Sequence, residues 1–173
     1  MSSSLLHGWH GGAVPPGRPV VVGVVPTQRP LIVQEAGALA RAMGVGLICV
    51  WADASHIYVG EEPDGTLDAT PLDPDQDDDG FPFDAENQMD RRLEHDLADI
   101  EVPWLFVYTV GEATRALAAV AAQHDARLIA VGPRRPGLAG WMNEIVGGSV
   151  AGRLAHTQRR PVLIIPAASR SGG

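Results

Sequence analysis

Five short runs of mostly aliphatic residues recur along this chain, and between them apolar residues return at helical spacing. The runs are PVVVGVV (19–25), VGLICVW (45–51), PWLFVYTV (103–110), RLIAV (127–131) and PVLII (161–165). Near-continuous runs of this length suit strands covered on both faces, the situation in a parallel sheet. Between them, Ile32, Ala36, Leu39, Ala40 and Met43 share one helical face, as do Met89, Leu93 and Leu97, and again Ala113, Leu117, Val120 and Ala121. A fourth helix is expected over 149–158. Pro30 suits a first helical position, where its missing N–H would have no partner in any case, and Gly44 suits a stop. Strands that alternate with helices through short turns require right-handed β-α-β crossovers. The expected fold class is therefore α/β: one doubly wound, Rossmann-like, five-stranded parallel sheet with four helices and strand order 3-2-1-4-5.

Charge narrows the class of partner. A net charge of −8 argues against a general nucleic-acid binder or an anionic-membrane binder, because both need a basic surface. The charge is uneven. Residues 61–84 are crowded with carboxylates and hold no Lys or Arg, whereas 131–160 carry five Arg and one Glu. A local positive patch can survive there. The single cysteine, Cys49, excludes an internal disulfide and fits a reducing, cytoplasmic setting. No apolar run approaches the ~20 residues of a membrane span, and residues 1–17 lack the pattern of a secretory signal. The expected organisation is a disordered N-terminal arm (1–17), one domain (18–167) with an acidic, partly disordered insertion (52–84), and a disordered tail (168–173).

In an open α/β sheet, ligands settle beyond the carboxyl ends of the strands, where the strand order reverses. The turns after the first and fourth strands are the candidates: Pro26-Thr27-Gln28-Arg29 and Gly132-Pro133-Arg134-Arg135-Pro136-Gly137.

The string ARLIAVGPRRPGLAGWMNEIVGGSVAGRLAHTQRRPVLIIP resembles the C-terminal half of universal stress proteins, which show a strand ending in a glycine turn, a Gly-Ser-Val helix start and a last strand of the Pro-Val-Leu type. The opening strand and the long excursion after the second strand extend the resemblance to about Pro19–Pro166. The ATP-binding branch of that family has a Gly-x2-Gly-x9-Gly-Ser/Thr pattern and an Asp closing the first strand. Glycines let backbone N–H groups crowd a triphosphate, and the Ser/Thr opens a helix whose positive end faces it. Gly132 matches the first glycine and Gly148-Ser149 the last pair, but Arg135 stands at the second glycine and the gap to Gly148 is three residues longer than the pattern. Val25 takes the place of the Asp. The ATP-binding loop is thus altered, with Arg134 and Arg135 able to supply forked contacts to phosphate.

The resemblance implies a stress-response regulatory or signalling protein that works by binding, with ATP or another adenine nucleotide as ligand, and without catalysis. Pro26 and Thr27 would meet the base or ribose, and Gly132, Arg134, Arg135, Gly137, Gly148, Ser149 and Val150 the phosphates. It also implies a homodimer through the edge strand at 161–166, whose open backbone would otherwise be a liability. Two alternatives stand beside this: a protein–protein interaction module that binds no nucleotide, with its crevice closed by Val25, Arg135 and Trp141, and a slow nucleotide hydrolase. The second lacks an evident base, and no Ser-His-Asp ordering or histidine ligand set stands out.

One motif lies outside the family pattern. Asp75, Asp77, Asp79, Gly80 and Glu86 fit the Ca2+-loop spacing D-x-[DN]-x-[DN]-G-x5-E. No helix enters it, Pro82 replaces the usual aliphatic residue, and a solvated acidic loop is the plainer reading. No metal residue is assigned.

Overall fold

Side chains along a strand alternate between faces, and in this chain that alternation builds two cores on one sheet. The computed structural model describes residues 9–10, 17–54, 56–61, 67–71, 82–133 and 149–166. In chain order the elements are β1 (Trp9–His10), β2 (Val20–Gly23), α1 (Pro30–Ala42), β3 (Leu47–Asp53), β4 (His56–Glu61), β5 (Leu67–Pro71), α2 (Pro82–Leu97), β6 (Trp104–Val110), α3 (Ala113–Gln123), β7 (Leu128–Val131), α4 (Val150–Thr157) and β8 (Val162–Ile164). Val20, Val22, Leu47, Cys49, Phe106 and Ala130 pack with Ile32, Val33 and Ala36 of α1 and Met89, Leu93 and Leu97 of α2. Val21, Ile48, Val50, Val107, Ile129 and Val131 pack on the other side with Leu117, Val120 and Ala121 of α3 and Leu154 of α4. Each fully buried aliphatic side chain contributes roughly 1.5–3 kcal/mol.

The main sheet runs β1-β6-β3-β2-β7-β8. Its five long-range parallel strands, β6-β3-β2-β7-β8, follow the expected order 3-2-1-4-5. Two additions were not legible in the sequence. Trp9 and His10, in the segment read as a disordered arm, pair antiparallel with Val107 and Phe106, so the open edge of β6 gains a partner. The acidic insertion contains an antiparallel hairpin, β4–β5, with a register shift between Tyr58 and Gly60. Its short alternating strands were hidden by the surrounding carboxylates and prolines.

Two local devices tie the helices down. At Gly37 of α1 a Cβ would lie 3.0 Å from Leu97 Cδ2 and 3.4 Å from Ile100 Cγ2, so the missing side chain lets α1 and α2 approach. At the start of α3, the Glu112 carboxylate accepts from the Thr114 and Arg115 amides, both at 3.0 Å. Arg153 of α4 donates to the same carboxylate and to Thr114 Oγ1, joining the two helix starts. Partial burial tends to raise the Glu112 pKa, but hydrogen bonds from the Thr114 hydroxyl and amide, the Arg115 amide and Arg153 outweigh it and hold the carboxyl below its ordinary value.

Gly37→Leu should therefore overpack the α1–α2 contact and cost about 1–3 kcal/mol, read as a lower denaturant midpoint. An unchanged midpoint would mean that the helices are free to separate there. Glu112→Ala should cost about 1 kcal/mol through the lost cap. Since the folded carboxyl titrates below 4.5, the unfolded chain binds more protons just below that pH. The Glu112 contribution is complete above 4.5 and is lost as pH falls through the lower folded pKa. Unfolding free energies measured down an acid series should fall more steeply for the native chain than for Glu112→Gln, and parallel curves would remove this assignment.

Candidate functional site

The strand order reverses between β2 and β7, since β3 and β6 extend the sheet to one side of that pair and β8 to the other. β2 and β7 are parallel, in register Val20↔Leu128, Val21↔Ile129 and Val22↔Ala130. Both chains therefore leave the sheet at the same edge and at nearly the same height. The two following tips touch: a Cβ on Gly132 would sit 2.9 Å from Gln28 Nε2 and 3.1 Å from Ile32 Cδ1. The missing Cβ at Gly132 leaves room for the Gln28 amide and the Ile32 side chain, which a larger residue would have to displace. The structure thus brings together the two segments singled out in the sequence, with Pro26 and Thr27 on one tip and Gly132 on the other.

The first tip is heavily self-bonded. Gln28 N–H donates to the Val25 carbonyl at 2.9 Å, and the Gln28 side chain accepts from Val25 N–H at 3.2 Å while its amide reaches the Gly23 carbonyl at 3.4 Å. From α2, Arg92 donates to the carbonyl oxygens of both Pro26 and Gln28. Sequence reasoning did not single out Gln28 or Arg92. Gln28 lies in the turn after β2 and Arg92 is 64 residues beyond it in the chain, so no local pattern marks their contact. Val25, at the position where the family resemblance implies an Asp, is 44% exposed.

Of the helices that begin at this sheet edge, α1, α3 and α4 differ electrically at their starts. Helix N-termini carry partial positive charge and unsatisfied N–H groups. The start of α3 is already met by the Glu112 carboxylate. At α4 the Ser149 hydroxyl accepts from Gly152 N–H at 3.1 Å, a neutral cap, and the first turn carries no acidic residue. α1 begins at Arg29 and Pro30 with neither a side-chain cap nor an acidic first turn. Val150 is exposed at the α4 start. Since α4 leads from the end of β7 back to the beginning of the parallel β8, its start stands on the same edge as Gly132. Arg134, Arg135, Gly137 and Gly148, expected to complete this loop, lie outside the described residues, as does Trp141.

The basic surplus read along residues 131–160 does not form one patch. Arg153 is bound to Glu112 and Thr114. Arg160 donates to the Ala126 carbonyl at 2.9 Å, just before β7 begins, and so belongs to the opposite edge of the sheet. Chain direction explains this: α4 carries the backbone from one edge to the other before Arg159 and Arg160 occur.

Beyond the β2–β7 junction, Asp53 closes β3 and accepts from the Tyr108 hydroxyl of β6 at 3.1 Å. Burial first, then the neighbouring Asp53 and Glu86 carboxylates, push the Tyr108 hydroxyl pKa up. Cys49 is fully buried and its thiol pKa is likewise raised by burial, which makes it a packing residue. Of the Ca2+-loop match, residues 75–80 lie outside the described residues, and Glu86 is a buried residue of α2. Among the described residues no group of three or more His, Cys, Asp or Glu side chains could hold a metal ion. Among them also, no helix is long and apolar enough to cross a membrane.

No curated protein matches the chain. Solved structures do. A universal stress protein crystallised in complex with cAMP has a TM-score of 0.58 at 22% identity, over 87% of this chain and 98% of that one. A universal stress protein from Archaeoglobus fulgidus in complex with dAMP has a TM-score of 0.54 at 19% identity, over 86% of this chain and 97% of its own. A protein of the same family from Burkholderia pseudomallei has a TM-score of 0.53 at 20% identity, over 88% of this chain and all of its own, 100%. At these identities the likeness concerns the fold. The universal stress protein family model matches residues 17–166, which span β2 to β8 and both tips of the β2–β7 junction, and so this chain belongs to the universal stress protein family.

Proposed function

We propose that this protein is a stress-response regulator of the cytoplasm that acts by binding an adenine nucleotide at the β2–β7 junction, as a homodimer and without catalysis. The observation that carries the reading is the contact of the two tips at Gln28 and Gly132, beside two helix starts free of acidic residues. An anion near such a start gains roughly 0.3–1 kcal/mol. The solved complexes of family members with cAMP and dAMP support an adenine nucleotide as the kind of ligand. Pro26 and Thr27 would contact base or ribose. Gly132, Arg134, Arg135 and Gly137 would line the phosphates, with Gly148, Ser149 and Val150 at the helix start. Arg135 replaces a glycine of the family pattern, so the phosphate contacts would rely more on guanidinium groups than on backbone amides, and Val25 leaves the base or ribose side without a carboxylate.

A second reading has its own support. Gln28 spends both ends of its side chain on its own tip and packs on Gly132, which partly fills the junction. A module that binds only other proteins would tolerate that filling.

The dimer would form along β8. Leu163 is 37% and Ile164 55% exposed there, and among the described residues β8 pairs only with β7. The far edge of the sheet already carries β1. A second copy on β8 would bury these side chains and satisfy the open backbone groups.

Titration calorimetry with ATP, and separately with AMP, should show saturable binding at micromolar to high micromolar nucleotide. Gly132→Val, whose branched side chain would displace the Gln28 and Ile32 side chains, should weaken it by about tenfold or more, or ~1.4 kcal/mol. Absence of heat with the native chain would favour the protein-binding reading. In sedimentation velocity the native chain should run as a dimer at micromolar concentration and Ile164→Lys as a monomer. A native monomer would remove the dimer.

A further inference from the structure

We propose that Arg92, on α2, is the positioning residue of the β2–α1 tip, so that nucleotide affinity is set partly by how α2 docks. The inference rests on the nucleotide reading above but has a consequence that does not need it.

Four carbonyl oxygens of the tip are already taken by the protein. Those of Gly23 and Val25 accept from Gln28, and those of Pro26 and Gln28 accept from Arg92. A guanidinium is a rigid planar fork. When two of its nitrogens hold carbonyls two residues apart, the peptide units of the residue between them lose most of their freedom. That residue is Thr27, which the nucleotide reading places against the ligand. The fork also engages two acceptor oxygens that would repel an anion and sets a positive charge beside them.

Arg92 is itself held in place. Its Nε lies 3.4 Å from Asp96 Oδ2, one helical turn on, and the Asp96 side chain is 6% exposed. The Asp96 carbonyl in turn accepts from Gln34 Nε2 of α1 at 3.2 Å. The path closes on itself: the tip to Arg92, Arg92 to Asp96, Asp96 to α1, and α1 back through Pro30 to the tip. It crosses the contact where Gly37 lets α1 and α2 approach.

Held this way, the tip enters binding already ordered. Without the fork, only a fraction of molecules would have the competent tip, and apparent affinity falls by that fraction. The experiment combines amide hydrogen exchange at Val25, Thr27, Gln28 and Arg29 with nucleotide calorimetry, on the full chain and on Arg92→Ala and Arg92→Lys. For Arg92→Ala, exchange should rise in the tip while β3 stays protected, and ATP affinity should fall about tenfold, as a competent fraction of about a tenth gives. Arg92→Lys keeps the charge but replaces the fork with a point donor. It should fall between the two, and it serves alone if Arg92→Ala does not fold. Loss of protection spread equally over tip and β3 would make Arg92 merely structural and overturn the proposal, as would a tip unchanged in both variants. A native chain that gives no nucleotide heat, with faster exchange confined to the tip in Arg92→Ala, would sink the nucleotide reading and support the positioning role.

Discussion

Strand β2 is hydrogen-bonded to a parallel neighbour along each edge and covered by helices on each face. Val20, Val21 and Val22 have no exposed surface. A strand in that position can neither slide nor tilt without uncovering both cores, because a shift of one residue turns each side chain to the wrong face. Its register with β7 is therefore firmly set, and so is the meeting of the chain ends beyond it. The candidate site is a consequence of that pairing. Gly132 meets Gln28 because Val22 faces Ala130.

Electrostatics then sorts the sheet edge. An acidic protein can present an anion site only where its own carboxylates stay away, and the starts of α1, α3 and α4 differ in this respect. Glu112 neutralises the start of α3 and recruits Arg153, so neither is available to a ligand. α1 and α4 begin without a carboxylate, and these two flank the β2–β7 junction. Of the arginines clustered in sequence near the last helix, Arg160 serves the opposite edge, where it and Arg18 hold Asp125 in its left-handed backbone turn at φ 46°. Clustering along the chain and clustering in space are different properties wherever a helix intervenes.

Much of this was legible beforehand, for identifiable reasons. The five buried strands were read from unbroken β-branched and aliphatic runs, because burial on both faces leaves no place for polar residues. Three of the four helices followed from 3.6-residue periodicity, and Pro30 and Ser149 mark starts of α1 and α4 to within a residue. The β4–β5 hairpin was missed because its strands are short and set among carboxylates, and β1 because two residues carry no period at all. At the site, the two turns were identified from topology alone. Gln28 was passed over as an ordinary turn residue, although it packs directly on Gly132.

By itself, then, the chain's pattern of apolar residues determined a parallel α/β sheet and a common edge at which its strands end. These depend on local periodicity and on the handedness of crossovers, both of which are properties of short stretches. Tertiary structure alone decided which side chains meet there. Arg92 reaches the Pro26 and Gln28 carbonyls across more than 60 residues, an encounter fixed by the docking of α2 on α1. Such contacts arise from packing between elements, and packing leaves no repeating mark on the sequence of either partner.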